Sequence, residues 1–225
     1  MPYARRVDDL HRTSAQALSS LLAHGTVPPA TFRAALLAIP PNDRDAWLDL
    51  VLGLDEVPDD GPDLPRGCVP YLPCPVDAIL RAVDLASIGE RDLFVDVGAG
   101  VGRAAALVGL LTGAAIVGLE IQPALVREAR SLGGRLPQLH FTPIEDDAVR
   151  LSAPASSGTV FFLYCPFGGE RLTALLAELE RVARTRPIRV CCVDLPLPRC
   201  PWLSLVVPAA GDLAVYRSAP QPLPA

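Results

Sequence analysis

No lysine occurs anywhere in the 225 residues: all 20 basic side chains are arginine, set against 25 acids, for a formal net charge of −5. A groove that neutralises phosphates needs clustered excess base, so a nucleic-acid partner is not expected. The missing lysine accompanies 24 prolines and many alanines, and reads as compositional bias of the source, not as a device. Also missing is any Cys-x-x-Cys pair: the cysteines stand at 68, 74, 165, 191, 192 and 200. That excludes the metal-ribbon spacings, and no metal site is expected. Inside a cell the default for such residues is a buried thiol acting as a small apolar group. No apolar run is long enough to cross a membrane. The longest, Ala104 to Leu119, is interrupted by Gly109, Thr112 and Gly113 and falls short of the roughly 20 residues a span needs. A buried helix running into a buried strand explains it better. After Met1 to Arg6 the chain continues Val7-Asp8-Asp9 rather than an apolar core, so no secretion signal is expected and a cytoplasmic location is.

Half of the residues are hydrophobic, enough for a substantial core in one domain with an appendage. Residues 1–60 read as a helical preface. Leu10, Ala17, Leu18, Leu21 and Leu22 recur at helical spacing before a stop at Gly25. A second helix runs from Pro29 to Ile39 and a third from Asn42 or Asp43 to Leu54. This preface is either a lid that shapes a substrate pocket, or a pack against the sheet or a dimer contact. Residues 56–67, rich in Pro, Asp and Gly, read as a solvated linker.

The stretch that organises the rest is Asp92-Leu93-Phe94-Val95-Asp96-Val97-Gly98-Ala99-Gly100-Val101-Gly102-Arg103. An apolar run ending in an acid, then a glycine-rich turn, then a helical pattern is the first strand, loop and helix of a nucleotide-binding α/β sheet. Glycines there let backbone approach a ligand closely, and the free N–H groups of the next helix can hold an anion. The dinucleotide fingerprint fails, because its third glycine would fall where Arg103 stands. A second strand, Ala115 to Glu120, also ends in an acid. Further strands follow at 139–144, 159–164 and 188–194. Between them lie helices over 122–130, with a stop at Gly133-Gly134, and over 170–184. A hairpin, 203–207 and 213–217, closes the pattern, and 218–225 reads as a flexible tail.

Asp96-x-Gly98-x-Gly100-x-Gly102 resembles motif I of the class I S-adenosylmethionine-dependent methyltransferases, and the resemblance extends over 67–217. It implies a Rossmann-like α/β fold: a seven-stranded, mostly parallel sheet with an antiparallel C-terminal hairpin, helices on both faces and an N-terminal helical extension. It implies S-adenosyl-L-methionine as cofactor. Asp96, Gly98, Ala99 and Gly100 would line its methionine half, Glu120 and Ile121 its ribose, Asp146 or Asp147 its adenine amino group, with Glu145 as an alternative. An acid beside the loop suits a cationic amino group and would repel a pyrophosphate. Tyr71-x-Pro73-x-Pro75 is similar to the loop before motif I in bacterial methyltransferases related to the Dot1-like group of protein-lysine methyltransferases. Tyr71 and Tyr164 are then candidate contacts of the reacting centre. Cys165 occupies the place where such relatives carry asparagine in Tyr-Asn-Pro-Phe, so the amide acceptor is lost; as a nucleophile it lacks a visible base. The resemblance implies methyl transfer to N or O of a small molecule. The alternatives are a protein-lysine acceptor, or consumption of the cofactor without methyl transfer, for instance by cyclising its aminocarboxypropyl arm. Neither a membrane nor a nucleic-acid partner is expected, and the chain would be a monomer or homodimer.

Overall fold

The computed structural model describes residues 9–25, 27–54, 56–61 and 64–219, without the side chains of 207–210. Helices α1 (Asp9–His24), α2 (Pro29–Leu37) and α3 (Arg44–Leu52) precede α4 (Val76–Leu85). Then follow β1 (Leu93–Val97), α5 (Arg103–Thr112), β2 (Ala115–Glu120), α6 (Pro123–Arg135), β3 (Phe141–Glu145), β4 (Val160–Tyr164), α7 (Gly169–Ala183), β5 (Arg189–Val193), β6 (Leu203–Ala210) and β7 (Leu213–Ser218). The seven strands form one sheet in the order β3-β2-β1-β4-β5-β7-β6. β1 to β5 pair in parallel and β7 runs antiparallel to β5 and β6.

Alternation along buried strands builds a core on each side of the sheet. Phe94, Ile116, Phe162 and Cys191 turn toward α4 and α5, while Val95, Val117, Phe161 and Cys192 turn toward α7. The neighbouring Cys191 and Cys192 therefore point to opposite faces, and both are free thiols. The first core continues into α1, α2 and α3 through Leu22, Phe32, Leu36, Trp47 and Leu48, each buried. The helical preface is thus built onto the α4–α5 side of the sheet.

Three boundaries differ from the sequence reading. Helix α6 runs through Gly133 and Gly134 to Arg135; burial of Leu132 and Leu136 holds that last turn, and Pro137 follows it. Ser218 belongs to β7, and its hydroxyl accepts the Ile188 N–H at 2.9 Å; of the expected tail, 220–225 lie outside the described residues. His140 precedes β3 and is not within it.

Candidate functional site

The carboxyl ends of β1 to β5 converge on one edge, where ligands of open α/β sheets bind. The loop after β1 has three left-handed glycines, Gly98 (φ +78°), Gly100 (φ +55°) and Gly102 (φ +82°). A Cβ at Gly98 would lie 2.8 Å from Pro166, at Gly100 2.1 Å from the Tyr71 ring, and at Gly102 2.7 Å from the Phe141 ring. Glycine is required here by close packing as well as by positive φ. The space their missing side chains leave is filled by the protein's own side chains.

Glu120, 8% exposed, organises this loop from below. One carboxylate oxygen accepts the Gly100 N–H at 2.9 Å; the other accepts those of Ile121 and Gln122, both at 2.8 Å. Burial pushes its pKa up, opposed by these bonds. A carboxylate has about four lone-pair sites, so acceptor capacity toward the cleft remains. Asp96, 3% exposed, shares the sheet face of Phe94. It takes a hydrogen bond from the Ala105 N–H, yet burial and then the charge of Glu120 push its pKa up to about 7. Its Oδ2 is buried and has no partner.

A solvent-open cleft of about 640 Å³ lies over these strand ends. Of the residues singled out in the sequence, Tyr71, Gly98, Glu120, Ile121, Asp146, Asp147, Tyr164 and Cys165 line it. A smaller inner cavity, likewise open to solvent and about 280 Å³ with that open space included, takes Asp96 and Ala99. Tyr71, Leu72, Gly98 and Tyr164 border both spaces. Gly100 borders neither, being covered by Tyr71, and the exposed Glu145 also lies outside.

The two acids after β3 are already engaged. Asp146 accepts from the Asp147 N–H at 2.8 Å and the Ser152 hydroxyl at 2.6 Å. Asp147 pairs with Arg171 at 2.5 Å and accepts the Val149 N–H at 3.2 Å. The Arg171 guanidinium also stands 5.4 Å from the Phe167 ring centre. No spacing in the sequence marks Arg171; its only signal is its place in the first turns of the helix after Tyr164-Cys165-Pro166-Phe167.

At the end of β4, burial and then the neighbouring Cys74, Cys165, Asp194 and Asp212 push the Tyr164 hydroxyl up to about 12. Cys165 (φ +33°) and Asp194 (φ +50°) follow the register pair Tyr164 and Val193. Both thus stand side by side in left-handed backbone, which costs energy outside glycine and concentrates at functional sites. Burial, then Asp194, raises the Cys165 thiol, the opposite of what activates a nucleophile. None of the three histidines borders either space. Among the described residues, no group of three or more His, Cys, Asp or Glu is placed to hold a metal ion.

The loop before α4 forms a roof. The Val69 N–H donates to Pro166 at 3.0 Å and the Gly168 N–H to Gly67 at 3.1 Å, joining 67–69 to 166–168. Burial raises the Tyr71 phenol well above its usual range, against the pull of Arg103. Arg103, met in the sequence only as a break in a fingerprint, is a fastening point. It is 3% exposed and donates to Asp49 at 2.5 Å, Asp45 at 3.0 Å and the Cys74 carbonyl at 2.7 Å. Asp45 in turn accepts the Val76 N–H at 3.0 Å, at the start of α4. Helix α3 therefore helps to hold the glycine loop and the roof. In the linker the exposed Asp60 accepts from the Gln122 side chain and the Tyr71 N–H.

No family model and no curated protein matches the chain. Solved structures do. The Escherichia coli protein yhhF, assigned as a methyltransferase, has 19% identity and a TM-score of 0.52 over 73% of this chain and 92% of its own. The MccD protein has 12% identity and a TM-score of 0.50, over 64% and 97%. An RNA methyltransferase from Salinibacter ruber, solved with S-adenosyl-L-homocysteine, has 25% identity and a TM-score of 0.47, over 68% and 100%. Taken with the strand order, the likeness to yhhF shows that this chain has the Rossmann-like methyltransferase fold.

Proposed function

We propose that the chain is an S-adenosyl-L-methionine-dependent methyltransferase acting on N or O of a small molecule. The observation that carries this reading is the pair of buried carboxylates at the strand ends. Glu120 lines the main cleft and Asp96 lines the inner cavity, and Asp96 has a buried oxygen without a partner. A buried acid without a partner suits a cationic group, and a second acid with spare acceptor capacity suits a diol. That is the donor pattern of an amino acid joined to a nucleoside, and it fits the cofactor. Glu120 and the Ile121 backbone would hold the ribose, Asp146 or Asp147 the adenine amino group, and Asp96 with Gly98, Ala99 and Gly100 the methionine end.

When bound, the cofactor supplies an electrophilic methyl group on a sulfonium. The residues of this chain contribute alignment and exclusion of water. The roof over 67–72 covers part of the cleft, and the rings of Tyr71, Tyr164 and Phe162 give the inner cavity apolar walls. With its pKa pushed up to about 12, Tyr164 stays protonated at neutral pH, so it orients an acceptor by hydrogen bonding and does not act as the base. Rate enhancement then rests on holding the acceptor in line, the contribution of proximity. The modest size of the space between roof and strand ends favours a small acceptor. A protein-lysine acceptor is the second reading, favoured by Val69 and Leu72, which are 43% and 55% exposed on the Tyr71-x-Pro73-x-Pro75 loop at the mouth.

The test is incubation of the purified chain with S-adenosylmethionine, alone and with panels of small amines, small alcohols or lysine peptides, followed by mass spectrometry. S-adenosylhomocysteine formed only with a small acceptor is the expected result. Formation only with peptides moves the assignment to the second reading. Methylthioadenosine without any acceptor overturns methyl transfer.

A further inference from the structure

We infer that Asp60 and Gln122 form a latch that seats Tyr71 on the glycine loop, making Asp60 a positioning residue for the nucleoside cofactor. The inference rests on the cofactor reading of the cleft only for its functional consequence; the latch itself is a matter of contacts. Gln122, just beyond β2, is 7% exposed and uses both ends of its amide on the linker. Its Oε1 accepts the Gly61 N–H and its Nε2 donates to Asp60 Oδ1, each at 2.7 Å. The same Asp60 oxygen accepts the Tyr71 N–H at 2.8 Å. The contacts close into a circuit. Tyr71 lies against Gly100, Gly100 donates to Glu120, Glu120 accepts the Gln122 N–H, Gln122 holds Asp60, and Asp60 holds Tyr71.

Two features make this a latch and not merely a brace. Asp60 is exposed while Gln122 is buried, so the linker can leave without uncovering apolar core, and the buried amide favours its return. Tyr71 also borders both the cleft and the inner cavity. Releasing it joins the space at Glu120 to the space at Asp96, the passage a ligand reaching both carboxylates requires. Among the described residues, the hydrogen bonds of 56–61 run to Gln122 and Tyr71, so this junction ties the linker to the residue that borders both spaces.

The test uses the full chain with Asp60→Ala, Asp60→Asn, Gln122→Ala and the Asp60→Ala/Gln122→Ala double variant. Hydrogen exchange without ligand reads the latch directly. Asp60→Ala and Gln122→Ala are expected to speed exchange of the Tyr71 amide by about tenfold, the scale of one hydrogen bond to a charged group. Asp60→Asn, which keeps an acceptor oxygen, should restore most of the protection. Stopped-flow release of S-adenosylhomocysteine reads the consequence: about tenfold faster in either single variant, and no faster in the double, because both break one circuit. Wild-type exchange in Asp60→Ala overturns the latch, as does a double variant whose release is the product of the singles. If wild type fails to bind S-adenosylhomocysteine, the proposed function falls, while the exchange data still judge the latch.

Discussion

Replacing Glu120 by alanine should damage the fold before it damages any chemistry. The carboxylate accepts the N–H groups of Gly100, Ile121 and Gln122 at 2.9, 2.8 and 2.8 Å. Alanine leaves all three without that acceptor. The Ile121 contact is only part-buried, so that N–H can turn to water. The Gly100 and Gln122 contacts are buried, and each N–H left without a partner costs about 1–3 kcal/mol. Relief from burying a carboxylate offsets part of this, so a loss of about 3 kcal/mol is expected, out of a total near 5–15 kcal/mol for a domain. Glutamine separates the contributions. It keeps an oxygen for Ile121 and Gln122 but turns an amide N–H₂ toward Gly100, so it should lose about 1–2 kcal/mol, one hydrogen bond. Urea unfolding, with the slope monitored for two-state behaviour, gives the ranking wild type, Glu120→Gln, Glu120→Ala. Equal midpoints for wild type and Glu120→Ala would refute the claim that this side chain holds the glycine loop.

Other consequences follow from the same geometry. Asp96, with a folded pKa pushed up to about 7, binds a proton that the unfolded chain, near 3.8, releases. Stability should therefore fall as pH rises from about 4 to about 7, by at most about 4 kcal/mol from this group. Asp96→Asn should flatten that slope in pH-dependent denaturation, and an unchanged slope counts against the assignment. Gly100→Ala places a Cβ 2.1 Å from the Tyr71 ring at φ +55° and should lower stability by about 2–4 kcal/mol, from left-handed strain plus a displaced ring. Gly168→Ala, with nothing within 4 Å, serves as the neutral control in the same thermal melts. Arg103→Met removes the contacts to Asp45, Asp49 and the Cys74 carbonyl and should cost about 1–3 kcal/mol, because the two carboxylates are 43% and 39% exposed and can turn to water; adding Asp49→Asn should cost less than it does in wild type, and strict additivity would deny the pairing.

The sheet was legible because parallel strands buried on both faces read as apolar runs, and because Asp96, near the end of β1, stands before glycines that a tight turn requires. Local signals were weaker where distant packing decided the outcome. Gly133 and Gly134 looked like a stop, yet Leu132 and Leu136 are buried and keep the chain helical through them. Arg103 and Asp60 illustrate the larger gap. Each lies in a stretch whose composition suggests something else, a broken fingerprint or a solvated linker. Their partners stand 54 residues away at Asp49 and 62 away at Gln122, where no spacing rule reaches. The glycine loop was legible only in part. Its positive φ values were foreseeable, whereas the side chains that fill the space beside it, Pro166, Tyr71 and Phe141, come from three separate segments.

Titration calorimetry of the purified chain with S-adenosylhomocysteine tests the central claim most directly. Saturable one-to-one binding, weakened in Glu120→Gln, is the result expected of a cleft whose two carboxylates receive a ribose and an ammonium. No heat with that ligand or with S-adenosylmethionine, alongside clear binding of NAD or ATP, would contradict it.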